Sequence, residues 1–191
     1  MLAKLNAHIA QHIHLDEALK QLCAQHFVSS QVTKNTVIEE EGKVPQHLYF
    51  INEGYMRSFY YDDNGDEVTT YLAAPNQYMA AFLSLSQQKK SQENLETITD
   101  CQLLKIHRDH FMTLIEKNAA FKDYSLMIFE RAFSAMSQRA NDLATRTAEQ
   151  RYTQLLENQG NILQNVPIQY IASFLGIKPQ SLSRIRKQRI K

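Results

Sequence analysis

Apolar residues recur along this chain in two periods, helical at both ends and strand-like between them. Over the first 27 residues Leu2, Leu5, Ile9 and Ile13 form one stripe, and Leu15, Leu19, Leu22 and Cys23 a second. Spacings of three and four predict helices, with Asp16 as the break or cap between them. From Phe27 to Ile106 the pattern changes to short β-rich runs: Phe27–Val32, Thr36–Glu40, His47–Ile51, Tyr55–Tyr61, Glu67–Ala73, Leu95–Thr99 and Gln102–Ile106. Turn signals separate them at Lys34-Asn35, Gly42, Gly54 and Asp63-Asn64-Gly65-Asp66. Asn-Gly is the preferred pair for a two-residue type I′ hairpin. Short strands at this spacing predict an antiparallel sandwich or jelly roll, an architecture that often encloses a small ligand.

The helical period returns at Arg108. Asp109 can cap a short helix carrying Phe111, Leu114 and Ile115. A longer helix follows from about Asn118 to Leu143, with a stripe of Phe121, Tyr124, Ile128, Ala132, Ala135 and Met136. Phe121, Ile128 and Ala135 are spaced by seven, which suits a helix packed against its own copy. An amphipathic helix lying on the barrel gives the same stripe, and Gln138, Arg139 and Asp142 interrupt it. Thr147 and Gln150 form a capping box for a helix carrying Tyr152, Leu155 and Leu156 and ending near Gly160.

The last element, Ile168 to Lys187, contains two short helical patterns meeting at Gly176. Ile168, Ile171, Ala172 and Leu175 share a face of the first, and Leu182 and Ile185 a face of the second. Gly176 can take the positive φ of a tight corner. Pro179 suits the first turn of a helix because it has no amide hydrogen to lose there. Ala172 is small enough for a close crossing. These features make a helix-turn-helix pattern, whose second helix enters the DNA major groove. A helical hairpin with a solvated basic tail is the plainer reading.

Charge sharpens this picture. The 191 residues carry 21 basic and 20 acidic side chains, a net of +1. After Glu157 no acidic residue occurs, whereas Lys178, Arg184, Arg186, Lys187, Arg189 and Lys191 do. The preceding chain therefore has 15 basic against 20 acidic side chains, a net of −5. A nearly neutral chain with one basic end is the asymmetry expected of a nucleic-acid binder.

Other chemistries find less support. The hydrophobic content of 43% is enough for a core, but no apolar run approaches the ~20 residues of a membrane span. Polar Asn6, His8, Gln11 and His12 interrupt the N-terminus where a signal peptide would be apolar. Cys23 and Cys101 read as buried small hydrophobes in a reducing cytoplasm. His8 and His12 are spaced i, i+4, with His14 and His26 nearby, yet no carboxylate or cysteine completes a metal set. Asp62, Asp63 and Asp66 surround a turn, where acids commonly serve turn geometry. No nucleophile–base pair or phosphate loop is apparent, so an enzyme is the weakest expectation.

The order of elements resembles the Crp/Fnr family of bacterial transcription regulators. The resemblance rests on Gly42, on HLYFINEG (His47–Gly54), TDCQLLKI (Thr99–Ile106), EQRYTQLL (Glu149–Leu156), and above all on IASFLGIKPQSLSRIRK (Ile171–Lys187). It is especially similar to a short-form subgroup, common in Bacteroidetes, that stops just after the recognition helix. The resemblance implies an α+β fold: an N-terminal antiparallel β jelly roll of the cyclic-nucleotide-binding type with flanking helices, a long dimerisation helix, and a C-terminal helix-turn-helix lacking an obvious wing. The expected domains are 1–117 (sensor), 118–146 (dimerisation helix and hinge, the hinge near Ala144 to Thr147) and 147–191 (DNA binding). It further implies a cytoplasmic homodimer paired through Phe121, Tyr124, Ile128, Ala132 and Ala135, bound to a palindromic site on double-stranded DNA. Its recognition helices would lie ~34 Å apart, one DNA turn, and RNA polymerase is an expected partner.

The site residues follow from the same resemblance. Gln180, Ser183 and Arg184 are expected at base edges, with Gln180 suited to adenine and Arg184 to guanine. Gln180 acting only as a cap, and Arg184 contacting phosphate, remain open. Gln169, Lys178, Ser181, Arg186, Lys187, Arg189 and Lys191 are expected on the DNA backbone, which makes binding salt-dependent. The candidate effector pocket comprises Ala80, Ala81, Phe82, Lys90 and Ser91. Members that bind cyclic AMP carry Gly-Glu and then Arg-Ser or Arg-Thr there, and this chain has neither pair. Lys90 can still supply a point charge to an anion, without arginine's fork. Cyclic AMP is therefore disfavoured and the effector, if any, unidentified. An iron–sulfur cluster is not expected from two cysteines, nor haem, since nothing singles out His47 or His107. The alternative is a ligand-binding or protein-interaction module whose helix-turn-helix no longer reads DNA.

Overall fold

The structure, a computed structural model, describes residues 2–189. Helices α1 (Leu2–Ala10) and α2 (Glu17–His26) form the two N-terminal stripes. Asp16 caps α2 by accepting the Leu19 amide at 2.8 Å. The expected strands follow as β1 (Val28–Val32), β2 (Thr36–Glu39), β3 (His47–Glu53), β4 (Met56–Tyr61), β5 (Glu67–Ala73), β7 (Asn94–Thr97) and β8 (Cys101–His107). A two-residue β6 (Tyr78–Met79) and a short helix α3 (Phe82–Gln87) interrupt the series.

These strands make two antiparallel sheets, β1-β8-β3-β6 and β2-β7-β4-β5. Side chains alternate across each strand, so one residue in two points inward. Tyr49, Ile51, Met56, Met79, Leu95 and Leu103 fill the space between the sheets. Gly54 joins β3 to β4 at φ +95°, and a Cβ there would lie 2.5 Å from the Asp100 carbonyl oxygen and the Cys101 sulfur. Only glycine fits that turn.

The β4–β5 connection departs from the type I′ expectation. It spans residues 62–66, and Asn64 is not at positive φ whereas Gly65 is (+81°). The Asp62 carboxylate accepts the amides of Asn64 and Asp66, and the Gly65 amide bonds the Asp62 carbonyl. An aspartate bonding its own turn favours this wider loop.

Helix α4 (Arg108–Lys117) leads into α5 (Ala119–Thr145), whose cap Asn118 accepts the Phe121 amide. Phe121, Tyr124, Ile128 and Ala132 are buried in the core that α1, α2 and α4 share with the outer face of the β3–β8 sheet, beside Leu48, Phe50, Leu104 and Ile106. This corrects their assignment to a dimer contact: they are used within the protomer, and Ala135 lies half-buried beside a cavity. The exposed apolar residues of α5 form a different stripe, with Leu126 58%, Phe133 72%, Met136 40% and Leu143 37% exposed. With Phe129 and Ala140 they are spaced by three and four in turn. Both faces of α5 are apolar, and the barrel takes the one with the more continuous run.

Helix α6 (Ala148–Asn165) begins with both halves of the Thr147–Gln150 capping box. It continues past the expected end at Gly160, but Gln159 breaks it with φ −145° and ψ +50°. Helices α7 (Ile168–Phe174) and α8 (Pro179–Arg189) then meet at Gly176, φ +66°. Leu155, Ile162, Ile171, Ala172, Leu182 and Ile185 form the core of these three helices. That core continues into Leu72, Ala74 and Ile98 on the outer face of the β4–β5 sheet. The two cysteines are buried, and burial pushes the Cys23 thiol up to about 12.

Candidate nucleic-acid interface and effector pocket

The two inward residues of α8, Leu182 and Ile185, fix which side faces out. Gln180, Arg184 and Lys187 are exposed on that side, and Ser183 is half-buried beside them. Lys178 and Gln169 are also exposed. Among the described residues no ion pair involves Lys178, Arg184 or Lys187. Ser181 is half-buried, and Arg186 turns back so that its Nη2 donates to the Leu163 carbonyl at 3.3 Å. Arg186 thus holds α8 to α6, a use its place in a basic run did not reveal. Lys191 and the side chain of Arg189 lie outside the described residues.

Contacts that no sequence pattern announced bind α7 to the barrel. Arg57 is 1% exposed; its Nε donates to Glu96 at 2.6 Å and its Nη2 pairs with Glu67. Its guanidinium lies between the Phe59 ring, 4.1 Å away, and the Tyr170 ring of α7, 3.7 Å away. Ser173 accepts the Thr69 amide at 2.9 Å and donates to the Glu67 carbonyl at 3.1 Å. Arg139 of α5 donates to both Thr69 and Phe174 carbonyls. Arginines that reach backbone carbonyls across elements leave no periodic signal in a sequence.

The pocket region gathers only part of the expected set. Ala80, Ala81 and Phe82 are buried. Lys90 is exposed, and the Ser91 hydroxyl is spent on its own loop, donating to the Glu93 carbonyl at 2.6 Å and accepting the Glu93 amide. On the inner side of the β4–β5 sheet, Ser58 and Thr70 share a hydrogen bond of 2.6 Å, and Thr70 donates to the Glu93 carboxylate at 2.9 Å. Burial raises the Glu93 pKa, opposed by the hydroxyls of Thr70 and Ser58. An acid in this position offers an anionic phosphate no positive charge. A cavity of about 140 Å³ lies between barrel and α5, lined by His8, Tyr71, Gln77, Tyr78, Phe82 and Arg131, among others.

His8 is a half-buried histidine bonded to a tyrosine pair. Its Nδ1 lies 2.7 Å from the Tyr124 hydroxyl, which donates to Tyr78 at 3.1 Å. Burial, then the neighbouring His12 and Arg131, pull its pKa down to about 4. The imidazole is neutral at pH 7 and His12 packs over the Tyr124 ring.

The chain thus joins a double-sheet barrel to a long helix and a basic helical unit. Residues 30–118 match the family model of the cyclic nucleotide-binding domain, and they contain the barrel strands from β2 to β8. Most of the chain is structurally similar to solved Crp/Fnr-type regulators. A protein described as a Crp/Fnr-family transcriptional regulator from Eubacterium rectale is 19% identical with a TM-score of 0.68, covering 92% of this chain and 84% of that one. FixK2 from Bradyrhizobium japonicum is 16% identical, TM-score 0.75, over 85% and 83% of the two chains. The c-di-GMP-responsive global regulator CLP of Xanthomonas campestris is 16% identical, TM-score 0.65, over 91% of each. No curated protein sequence matches the chain.

Proposed function

We propose that this protein is a DNA-binding transcription regulator of Crp/Fnr type, with α7 and α8 as a helix-turn-helix and α8 as its recognition helix. The observation that carries the reading is the outward face of α8, where Gln180, Arg184 and Lys187 stand exposed while Leu182 and Ile185 lock the helix to its core. Gln180, Ser183 and Arg184 read bases; Gln169, Lys178, Ser181 and Lys187 contact the backbone. Residues 1–117 act as the sensor, 118–146 as the connecting helix, and 147–191 as the DNA-binding part.

The protein works in the cytoplasm as a regulator rather than an enzyme. It is a homodimer joined along Leu126, Phe133, Met136, Ala140 and Leu143 of α5, which with the half-buried Phe129 keep coiled-coil spacing. Burying that stripe also removes a large exposed apolar patch. Cyclic AMP is disfavoured in the barrel, because the Glu93 carboxyl holds the inner position while Lys90 stays outside. Among the described residues no helix is long and apolar enough to cross a membrane.

Fluorescence anisotropy on DNA upstream of the protein's own gene tests the reading. Tight binding that weakens steeply with salt, unchanged by cyclic AMP or cyclic GMP, is the expected result. Absence of binding at low salt overturns DNA recognition, and binding that requires a nucleotide overturns the account of the pocket.

A further inference from the structure

Strand β5 has one residue more than its partner β4 can pair. Ser58 lies opposite Tyr71 and the next residue, Phe59, opposite Thr69, so Thr70 is the extra residue of a β-bulge. Such a residue shifts the alternation of side chains between the two faces of the strand. Tyr71 and Ala73 pack against the core between the sheets. Leu72 and Ala74 belong to the core shared with the C-terminal helices. Beyond the bulge Thr69 also faces outward, where Arg57 reaches its hydroxyl at 3.5 Å. In a regular strand Thr69 and Leu72, three residues apart, would point to opposite faces.

Hydrogen bonds tie the bulge on both sides. Inside, the Thr70 hydroxyl donates to the Glu93 carboxyl at 2.9 Å and bonds the Ser58 hydroxyl at 2.6 Å. Ser58 lies opposite Leu95 of β7, a residue of the inner core. Outside, the Thr69 amide donates to the Ser173 hydroxyl of α7 at 2.9 Å. The Thr69 carbonyl accepts Arg139 Nη2 of α5 at 2.9 Å, and Arg139 Nε donates to the Phe174 carbonyl of α7 at 3.3 Å. Thr69 itself is fully buried. One peptide unit therefore joins the residue that docks α7 to the residue held inside the barrel. That unit is planar and stiff, so the two sides cannot shift independently. Buried hydroxyls bonded to a carboxyl fix the extra residue with a direction that an apolar filling lacks.

We propose that the Thr69–Thr70 bulge couples the interior of the barrel to the docking of α7. The Ser58–Thr70–Glu93 chain holds the extra residue inward. It thereby keeps Thr69 outward, in register for Ser173 and Arg139. Loss of the chain inside the barrel loosens α7 outside it, while the β3–β8 sheet, which takes no part in these bonds, stays closed. Thr70 and Glu93 are positioning residues in this scheme. The inference rests on the docking geometry and stands apart from DNA recognition.

Hydrogen exchange on the full chain, resolved by segment, tests the coupling. Thr70→Val keeps the branched shape and removes the hydroxyl. Amides of α7 should then exchange about fivefold faster, with β3 and β8 as protected as in the wild type. Thr70→Ser keeps a hydroxyl and should keep α7 protected. Ser58→Ala shortens the chain but leaves the Thr70–Glu93 bond, which guards against a Thr70→Val chain that does not fold. It should speed α7 exchange about twofold. Added to Ser173→Ala, Thr70→Val should have a smaller effect than it has alone, because both act on one contact. Unchanged α7 exchange in the variants lacking a hydroxyl at 58 or 70 overturns the coupling. Equal acceleration in α7 and in β3 and β8, full additivity with Ser173→Ala, or a Thr70→Ser chain that behaves like Thr70→Val overturns it as well. DNA affinity is read separately by anisotropy, so failure of this coupling and failure of DNA recognition are distinguishable.

Discussion

The two sheets of the barrel are covered on their outer faces in different ways. The β3–β8 sheet is sealed by α1, α2, α4 and α5 through Leu48, Phe50, Leu104 and Ile106 against Leu5, Ile9, Phe121 and Ile128, nearly all fully buried. The β4–β5 sheet meets α7 with a smaller apolar strip, Leu72, Ala74 and Ile98, and a polar set: Arg57 under Tyr170, Ser173 on Thr69, and Arg139 on Thr69 and Phe174. An apolar seal opens only at the full cost of exposing its area. Polar contacts exchange for water at about 0.5–1.5 kcal/mol each. The first cover is thus a permanent part of the barrel. The second is suited to release, which on the proposed reading lets a DNA-binding part change its aim.

Substitutions on the two covers should separate them, beginning with the largest effect. Phe50→Ala opens a hole in the sealed face and should cost about 3–5 kcal/mol of whole-chain stability in urea unfolding. If it cost under about 1 kcal/mol, the contrast would fail. Gly176→Ala puts a side chain at positive φ, and its Cβ would sit 2.8 Å from a Leu143 methyl. The methyl can yield but the backbone cannot, so about 1–2 kcal/mol of strain should fall on the α7–α8 turn. Circular dichroism should show an intact barrel while DNA affinity drops.

Ser173→Ala removes two hydrogen bonds from the releasable cover and should weaken docking by about 1 kcal/mol. Tyr170→Leu removes the aromatic face above Arg57, with an effect of about 1 kcal/mol. In both variants hydrogen exchange should accelerate in α7 while the amides of β3 and β8 stay protected. Equal acceleration in both regions would show that the two covers open together.

The smallest effect at neutral pH concerns His8, half-buried at the edge of the sealed face. Its folded pKa of about 4 lies below the ordinary 6.5, so the unfolded chain takes up the proton first. The neutral form's contribution is complete above about pH 6.5 and is lost as pH falls towards 4. His8→Phe should flatten the pH dependence of stability in that window and change little at pH 8. An unchanged acid slope would place the sensitivity elsewhere.

The same contrast explains what was legible in the sequence. The sealed face rests on periodic apolar residues, so every strand except the two-residue β6, Asp16 as a cap and the Thr147–Gln150 box could be read directly. The face of α5 could not be chosen, because two apolar stripes share one helix and only the barrel's position decides between them. The Asn64-Gly65 turn was located but mistyped, since Asp62 bonds across it. The docking of α7 through Arg57, Tyr170 and Ser173 was invisible, as was the back-bonding of Arg186. Each depends on residues far apart in sequence meeting at an edge that no periodicity marks. Among the pocket residues, Phe82 stands beside a cavity, Lys90 stays at the surface, and Glu93, unremarked in the sequence, holds the inner position.

The central claim is that paired α8 helices read DNA. Selection of bound sites from a random double-stranded library, run with the wild type and with Arg184→Ala, tests it most directly. The account predicts a palindromic motif with half-sites ~10 base pairs apart for the wild type. It also predicts lost preference, most strongly for guanine, at one position of each half-site in the variant. No enriched motif, or the same motif with Arg184→Ala, would contradict it.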